Sequence, residues 1–257
     1  MLLLFLISIL CNDSLSHLLL APPYVDLKGK PLLVNLKNDY SILSYGGDQN
    51  IQLAYLHPGT NGFMIYKNQM VSSTFNIDIV FSLSNIHSSG ASKGMTFFLS
   101  TTDNINSGLF YGIKDGFEGV CVVIDFTNKN KPYFSVATDL ISEEKFNKKI
   151  FYEFYDDEKC TLKIKQDDKL SISIIDEYDE EIKLYDGKYL MPGKFFIGSS
   201  ASNGENGRIG YHLRSIQPSH LKVVPKYYEK GEREGNSKIY LFCICFRCRR
   251  NWILFVY

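Results

Sequence analysis

CTLKIKQDDKLSISII, residues 160–175, alternates apolar and polar side chains with a period of two. Leu162 and Ile164 fall on one side of an extended chain, while Thr161, Lys163 and Lys165 fall on the other. That is the pattern of a strand with one buried and one wet face. Asp167 and Asp168 divide 160–165 from 169–175, so the stretch predicts a β-hairpin.

Runs of the same kind extend in both directions, from Ile51 to about Val224, and each is broken by Gly, Asn, Asp or Ser. Upstream lie FNIDIVFSL (75–83), GMTFFLS (94–100), GVCVVIDF (119–126) and the run 132–137. Residues 150–155, KFFIGS (194–199) and 209–216 continue the series. Short strands at this spacing predict an all-β sandwich or barrel. One segment departs from the pattern. SEEKFNKK (142–149) places a Ser cap before acids and then bases, which predicts one or two helical turns as a connection.

Composition agrees with a packed β domain. Hydrophobic residues make up 45% and aromatic residues 14%, and Phe and Tyr favour strands. The 28 basic and 28 acidic residues cancel, so no global field draws nucleic acid.

The two ends read differently from the body. MLLLFLISIL (1–10) is an apolar run too short to span a bilayer, followed by Asn12, Asp13, Ser14 and Ser16, which predicts a signal peptide over 1–16. No Lys or Arg precedes the run, and a buried N-terminal strand and a misassigned start are the other readings. Residues 225–237, PKYYEKGEREGNS, mix charge and Gly without an apolar period and read as a linker. The tail KIYLFCICFRCRRNWILFVY (238–257) holds two apolar pieces divided by Arg247, Arg249 and Arg250. As a spanning helix it would carry those arginines near mid-membrane at about 2.5–3.5 kcal/mol each. Two readings stand: Cys243, Cys245 and Cys248 acylated at a membrane surface, or a degenerate membrane anchor. Both imply membrane association.

Cys121 and Cys160 lie in separate apolar runs, either bridged or singly buried. Outside Asn12, the chain has no Asn-x-Ser/Thr acceptor.

The order of these runs with their punctuation resembles the L-type lectin-like domain of early-secretory cargo receptors, relatives of leguminous lectins. The likeness begins with PPYVDLKG (22–29), YGGDQNIQLA (45–54) and the run 63–81. It continues through GASKGMTFFLS (90–100), GFEGVCVVIDFTN (116–128) and MPGKFFIGSSASNGENGRIGYHLRSIQ (191–217). The resemblance implies one concanavalin A-like β-sandwich, or jelly roll, over residues 22–224. It also implies residence in the endoplasmic reticulum and Golgi lumen, glycoprotein or protein cargo as partner, and rim loops that hold calcium and a mannose residue.

Mapped onto this chain, the likeness puts Asp125 at the first metal-ligand Asp and Asn128 at the Asn shared by metal and sugar. Lys93 stands where the family has the Asp that accepts from mannose, so an acceptor has become a cation. The family's later His and Asp have no clear counterpart after Ala137, which leaves Asp139 as the replacement ligand. Asn203, Gly204 and Gly207 retain the Gly-rich sugar loop, and no Cys lies near Ile182 or Lys183 for the family's disulfide. Two carboxylates and an amide would make a weak calcium site.

Glycoside hydrolases also use this sandwich. Glu177, Asp179 and Glu181 would share one face of an extended strand, but Asp176 and Glu180 put acids on the opposite face too, so the cluster reads as a solvated turn. His212 reads as a core or rim histidine. The chain is therefore read as a non-enzymatic, lectin-like cargo receptor that binds high-mannose glycoproteins, or as a divergent homologue with weakened sugar binding. The alternative is a scaffold that binds protein surfaces without sugar. The oligomeric state is not legible.

Overall fold

The computed structural model describes residues 48–66 and 69–219, the strands at 33–38 and 41–45, and Leu20, Ala21 and Tyr24. The signal peptide (1–16), most of the opening segment 22–29, the linker 225–237 and the tail 238–257 lie outside the described residues. Among the described residues no helix is long and apolar enough to cross a membrane.

The chain is built from antiparallel strands. In order they are β1 (Leu33–Asn38), β2 (Ser41–Tyr45), β3 (Asp48–Gln52), β4 (Asn61–Tyr66), β5 (Met70–Val71) and β6 (Phe75–Ser84). Next come β7 (Gly94–Ser100), β8 (Ser107–Gly108), β9 (Gly112–Ile113), β10 (Glu118–Asp125), β11 (Tyr133–Leu140) and β12 (Ile150–Phe151). The series ends with β13 (Lys159–Gln166), β14 (Leu170–Ile175), β15 (Glu181–Gly187), β16 (Lys194–Ser202) and β17 (Gly210–Ser219). One sheet runs β1-β4-β16-β7-β10-β11-β12 with β5 also on β16, and the second runs β15-β14-β13-β6-β17-β3-β2.

Strict alternation drives the stacking of the two sheets. In β6, Ile77, Ile79 and Phe81 are buried while Asn76, Asp78 and Val80 between them are half-buried. The buried set meets Met95, Phe97 and Leu99 of β7 and Val120, Val122 and Ile124 of β10 in one apolar core. Phe81 and Phe97 touch across it with ring centroids 4.9 Å apart. Each such side chain contributes about 1.5–3 kcal/mol by leaving water.

Strand β7 is buried on both faces, which explains its nearly continuous apolar text. Its other face carries Phe98, which joins Phe63, Ile65, Cys121 and Val123 in a second cluster. Ile105, Phe110, Ile113 and Phe117, from the connection between β7 and β10, lie over that cluster and make a third layer.

Several sequence expectations change in detail. The hairpin at 160–175 forms as β13 and β14. Residues 142–149 hold only one 3-10 turn, Glu143–Lys145, and the Ser142 side chain caps nothing, because the segment must hand the chain straight into β12. The strand expected over 150–155 stops at Phe151. Glu181–Gly187 is a strand although its charges read as a turn. Among the described residues it is the edge of its sheet, paired only to β14, so its polar side chains stay in water. Cys121 and Cys160 are both buried and free, each within a different strand and cluster.

Candidate functional site

Three strand ends converge at one rim. β7 lies between β10 and β16, and its first residue, Gly94, is in register with both Asp125 and Ser202. Lys93, the Asp125–Asn128 turn and the Asn203–Gly204 turn therefore share one edge. Two further backbone bonds tie it: Ser92 N donates to Phe126 O at 3.2 Å and Phe126 N donates to Lys93 O at 3.1 Å. Gly94 is required here. Its φ of +136° is a left-handed conformation, and a Cβ would stand 1.9 Å from Ile124 O.

Asp125 is 4% exposed and its carboxylate is occupied from within. Oδ2 accepts from the Tyr111 hydroxyl at 2.5 Å, and Oδ1 accepts from Thr127 N at 2.9 Å and from the Thr127 hydroxyl. Tyr111 arrives from the segment that covers the second cluster, with Phe110 edge-on to its ring at 5.0 Å. Burial, and next the Asp125 charge, push the Tyr111 phenol well above the ordinary tyrosine range, so it remains a donor. Tyr133, the register partner of Asp125, is pushed up to about 12 by burial and then by the same carboxylate.

Lys93 closes the mouth above this pair. Its ammonium donates to Leu109 O, lies 5.6 Å from the centre of the Tyr111 ring, and reaches Glu143 Oε1 at 3.8 Å. The ion pair is exposed and contributes little; the position is held by the carbonyl and the ring. Leu109 beside it is 88% exposed.

Asn203 organises the Gly-rich turn rather than facing outward. Its side chain is fully buried, at 0% exposure. Nδ2 donates to Tyr55 O at 2.6 Å and Ile209 O at 3.0 Å, while Oδ1 accepts from Ile209 N at 2.9 Å and Ser92 Oγ at 3.0 Å. Ser92 and the Tyr211 hydroxyl are 2.6 Å apart, so one buried chain of bonds links β17 to the rim. Gly204 has φ +60°, and its carbonyl accepts from Gly59 N. Every polar atom of the Asn203 side chain is spent internally, so only the backbone of this turn is left to meet a ligand.

Asn128 is exposed, with Oδ1 accepting Asn130 N at 3.2 Å in a tight turn. Asp139 is not at this rim. Asp125 pairs with Tyr133, whereas Asp139 pairs with Gly119 at the far end of the same ladder. The offset along β11 is about 20 Å at roughly 3.3 Å per residue. Asp139 meets Lys145 instead, at 3.4 Å. The chain returns to the rim only through β12, whose Phe151 pairs with Tyr133. That return brings Glu153 beside the turn after Asn128, a placement that sequence reasoning missed.

Calcium requires six to eight oxygens at about 2.3–2.6 Å. A carboxylate offers about four lone-pair sites, and Tyr111 and Thr127 already fill three on Asp125. With Asp139 remote, the donor set does not fit a calcium ion, and among the described residues no cluster of three His, Cys, Asp or Glu side chains is placed to hold a metal.

The other acids and His212 have local partners. Asp176–Glu180 is an exposed turn in which Asp176 Oδ1 accepts Tyr178 N and Glu180 N, each at 2.9 Å. Glu181 lies beyond it on β15 and accepts from Ser173, so Glu177, Asp179 and Glu181 share no strand face. His212 is bonded to Asn50 at 3.1 Å and Ser84 at 2.9 Å.

Comparison with known proteins agrees with this architecture. The lumenal domain of VIP36 in its Ca2+/Man2-bound form superposes with a TM-score of 0.68 at 17% identity, covering 82% of this chain and 90% of that one. The legume lectin-like domain of Entamoeba histolytica gives 0.57 at 18% identity, covering 73% and 90%. Peanut lectin with a bound 9mer peptide gives 0.59 at 19% identity, covering 78% and 97%. No curated protein matches the chain. The family model described as the legume-like lectin family matches residues 42–206, more than half of the chain, and the protein belongs to that family.

Proposed function

We propose that this chain is a divergent carbohydrate-recognition module of the cargo-receptor type, working in the lumen of the endoplasmic reticulum and Golgi on glycoprotein cargo, without calcium and without the family's mannose contact. The observation that carries this is the Asp125 carboxylate, held by Tyr111 and Thr127 where the family resemblance implies a metal, with the Lys93 cation above it. The VIP36 lumenal domain, known in calcium- and mannose-bound forms, supports the lumenal setting and the ligand class. Membrane association through residues 238–257 belongs to the same reading.

A second reading, a scaffold for protein surfaces, is favoured by Leu109, a nearly fully exposed leucine at the rim mouth. Binding of the full chain to a panel of neutral high-mannose and charged glycans, with and without chelator, separates the readings. Glycan binding indifferent to chelator supports the first. Chelator-sensitive mannose binding overturns it, and cargo binding with no glycan bound supports the scaffold.

A further inference from the structure

Beside the rim lies a cavity of about 670 Å³, bounded by the turn after Asn128, the turn after β6 and the chain leaving β12. Its volume is in the range of sites for small ligands, about 300–1,000 Å³. Its floor is Ile86, Pro132 and Phe154, all buried. Phe154 stacks on Phe126 at 5.3 Å, and Asp156 Oδ1 accepts Ile86 N at 2.6 Å, so the floor is fastened to the sandwich. Lys129 Nζ donates to Ser89 O at 3.3 Å and ties the two turns that form opposite walls.

The polar groups around the mouth contrast with those of the rim. Asp125 and Asn203 are satisfied internally. His87, Lys131 and Glu153 line the cavity and have no hydrogen bond or ion pair from their side chains among the described residues. Two lysines supply only donors and positive charge, and among the described residues no carboxylate lies within 4 Å of either ammonium to neutralise it. Phe151 also lines the mouth and is 62% exposed, an aromatic face left in water. A flat ring of this kind packs against the C–H face of a pyranose, and a single carboxylate such as Glu153 accepts from sugar hydroxyls.

From this arrangement we infer that the cavity between the 86–89 and 128–132 turns is a binding site for an anionic saccharide, a sugar ring bearing phosphate, sulfate or carboxylate. The ring lies on Phe151, the anionic substituent meets Lys131 and Lys129, and Glu153 takes a hydroxyl. This rests on the carbohydrate reading above and specifies its ligand.

The test is titration of the full chain with mannose 6-phosphate, unmodified mannose, inorganic phosphate and an oligoglutamate peptide, for the unchanged chain and for Lys131→Glu, Phe151→Ala and Lys188→Glu. Lys188 is exposed and outside the cavity, so that variant controls for net charge. The expected result is mannose 6-phosphate bound at least tenfold more tightly than mannose or phosphate, weakened at least tenfold by Lys131→Glu or Phe151→Ala, unchanged by Lys188→Glu, and weakened by added salt. Mannose bound as well as its phosphate overturns the charge assignment. Phosphate or oligoglutamate bound as well as the sugar phosphate overturns the saccharide assignment. Saccharide binding that both cavity variants leave intact overturns the cavity while sparing the carbohydrate reading; silence toward every saccharide overturns both.

Discussion

The Tyr111 hydroxyl donates to Asp125 Oδ2 at 2.5 Å, joining the cover of the second cluster to the end of β10. Both groups are buried, and Thr127 completes the carboxylate from the other side. A protein donor therefore fixes the loop where the family resemblance implies a metal. Tyr111→Phe keeps the ring and removes the donor, which leaves a buried carboxylate short of a partner at about 1–3 kcal/mol. For a domain of this size that is a fall in Tm of about 2–4 °C per kcal/mol. Differential scanning calorimetry checks it, and millimolar calcium should leave the Tm of the unchanged chain where it was. A calcium-dependent rise would restore a metal to this site.

Gly94 makes that contact geometrically available. A Cβ at this position meets Ile124 O at 1.9 Å and the Tyr111 ring at 3.1 Å, and the backbone carbonyl cannot swing aside without breaking the β7 to β10 ladder. Gly94→Ala should cost about 3 kcal/mol, the upper part of the overpacking range, with left-handed strain added. Urea unfolding measures it. A midpoint unchanged from the parent would mean that the strand end relaxes freely.

Asn203→Asp tests the buried role assigned to the Gly-rich turn. The change preserves shape but loses Nδ2, so Tyr55 O and Ile209 O both lose this donor and face a carboxylate oxygen instead. Ile209 O, buried, is left unpaired at about 1–3 kcal/mol, while Tyr55 O keeps the Thr60 hydroxyl at 2.8 Å. The expected outcome is a strongly destabilised domain with loosened 203–209 amides in hydrogen exchange. A variant as stable as the parent, altered only in ligand binding, would return Asn203 to a direct contact role.

Period and turn chemistry made the hairpin 160–175 legible, because it has a buried face that a one-residue slip would reverse, and β7 and β10 were legible as short, nearly continuous apolar runs buried on both faces. The sandwich followed from them and from the resemblance. β15 was hidden because an edge strand needs only Leu184 buried and Ile182 half-buried among its charges. The rim was half legible. That the turns at Asp125 and Asn203 meet follows from their shared neighbour β7. That Asp139 points elsewhere depends on how far the chain travels before returning, which is set by the β11 and β12 register and leaves no mark in residue type. Tyr111 gave no signal either, because its link to Asp125 is made through a covering loop. Asn203 beside Gly204 signals a turn in the sequence, but the burial of its side chain leaves no mark in residue type.

His212 provides the pH-dependent prediction. It lies mainly buried on β17 between Asn50 and Ser84, and burial first, then the Arg214 charge, lower its pKa from the ordinary 6.5, with Asp157 opposing. In the unfolded chain the ring titrates near 6.5. Below that pH the unfolded state takes up a proton that the folded state refuses until its own lower pKa is reached. Stability is therefore fully present above about pH 6.5 and is lost as pH falls through that window. His212→Asn removes the titration, so its Tm should change less than the parent's between pH 7.5 and 5. Its Tm at pH 7.5 should be the lower of the two, since Asn cannot span from Asn50 to Ser84. Thermal melts across that range decide the matter, and parallel pH profiles would show that His212 is free to protonate in the fold.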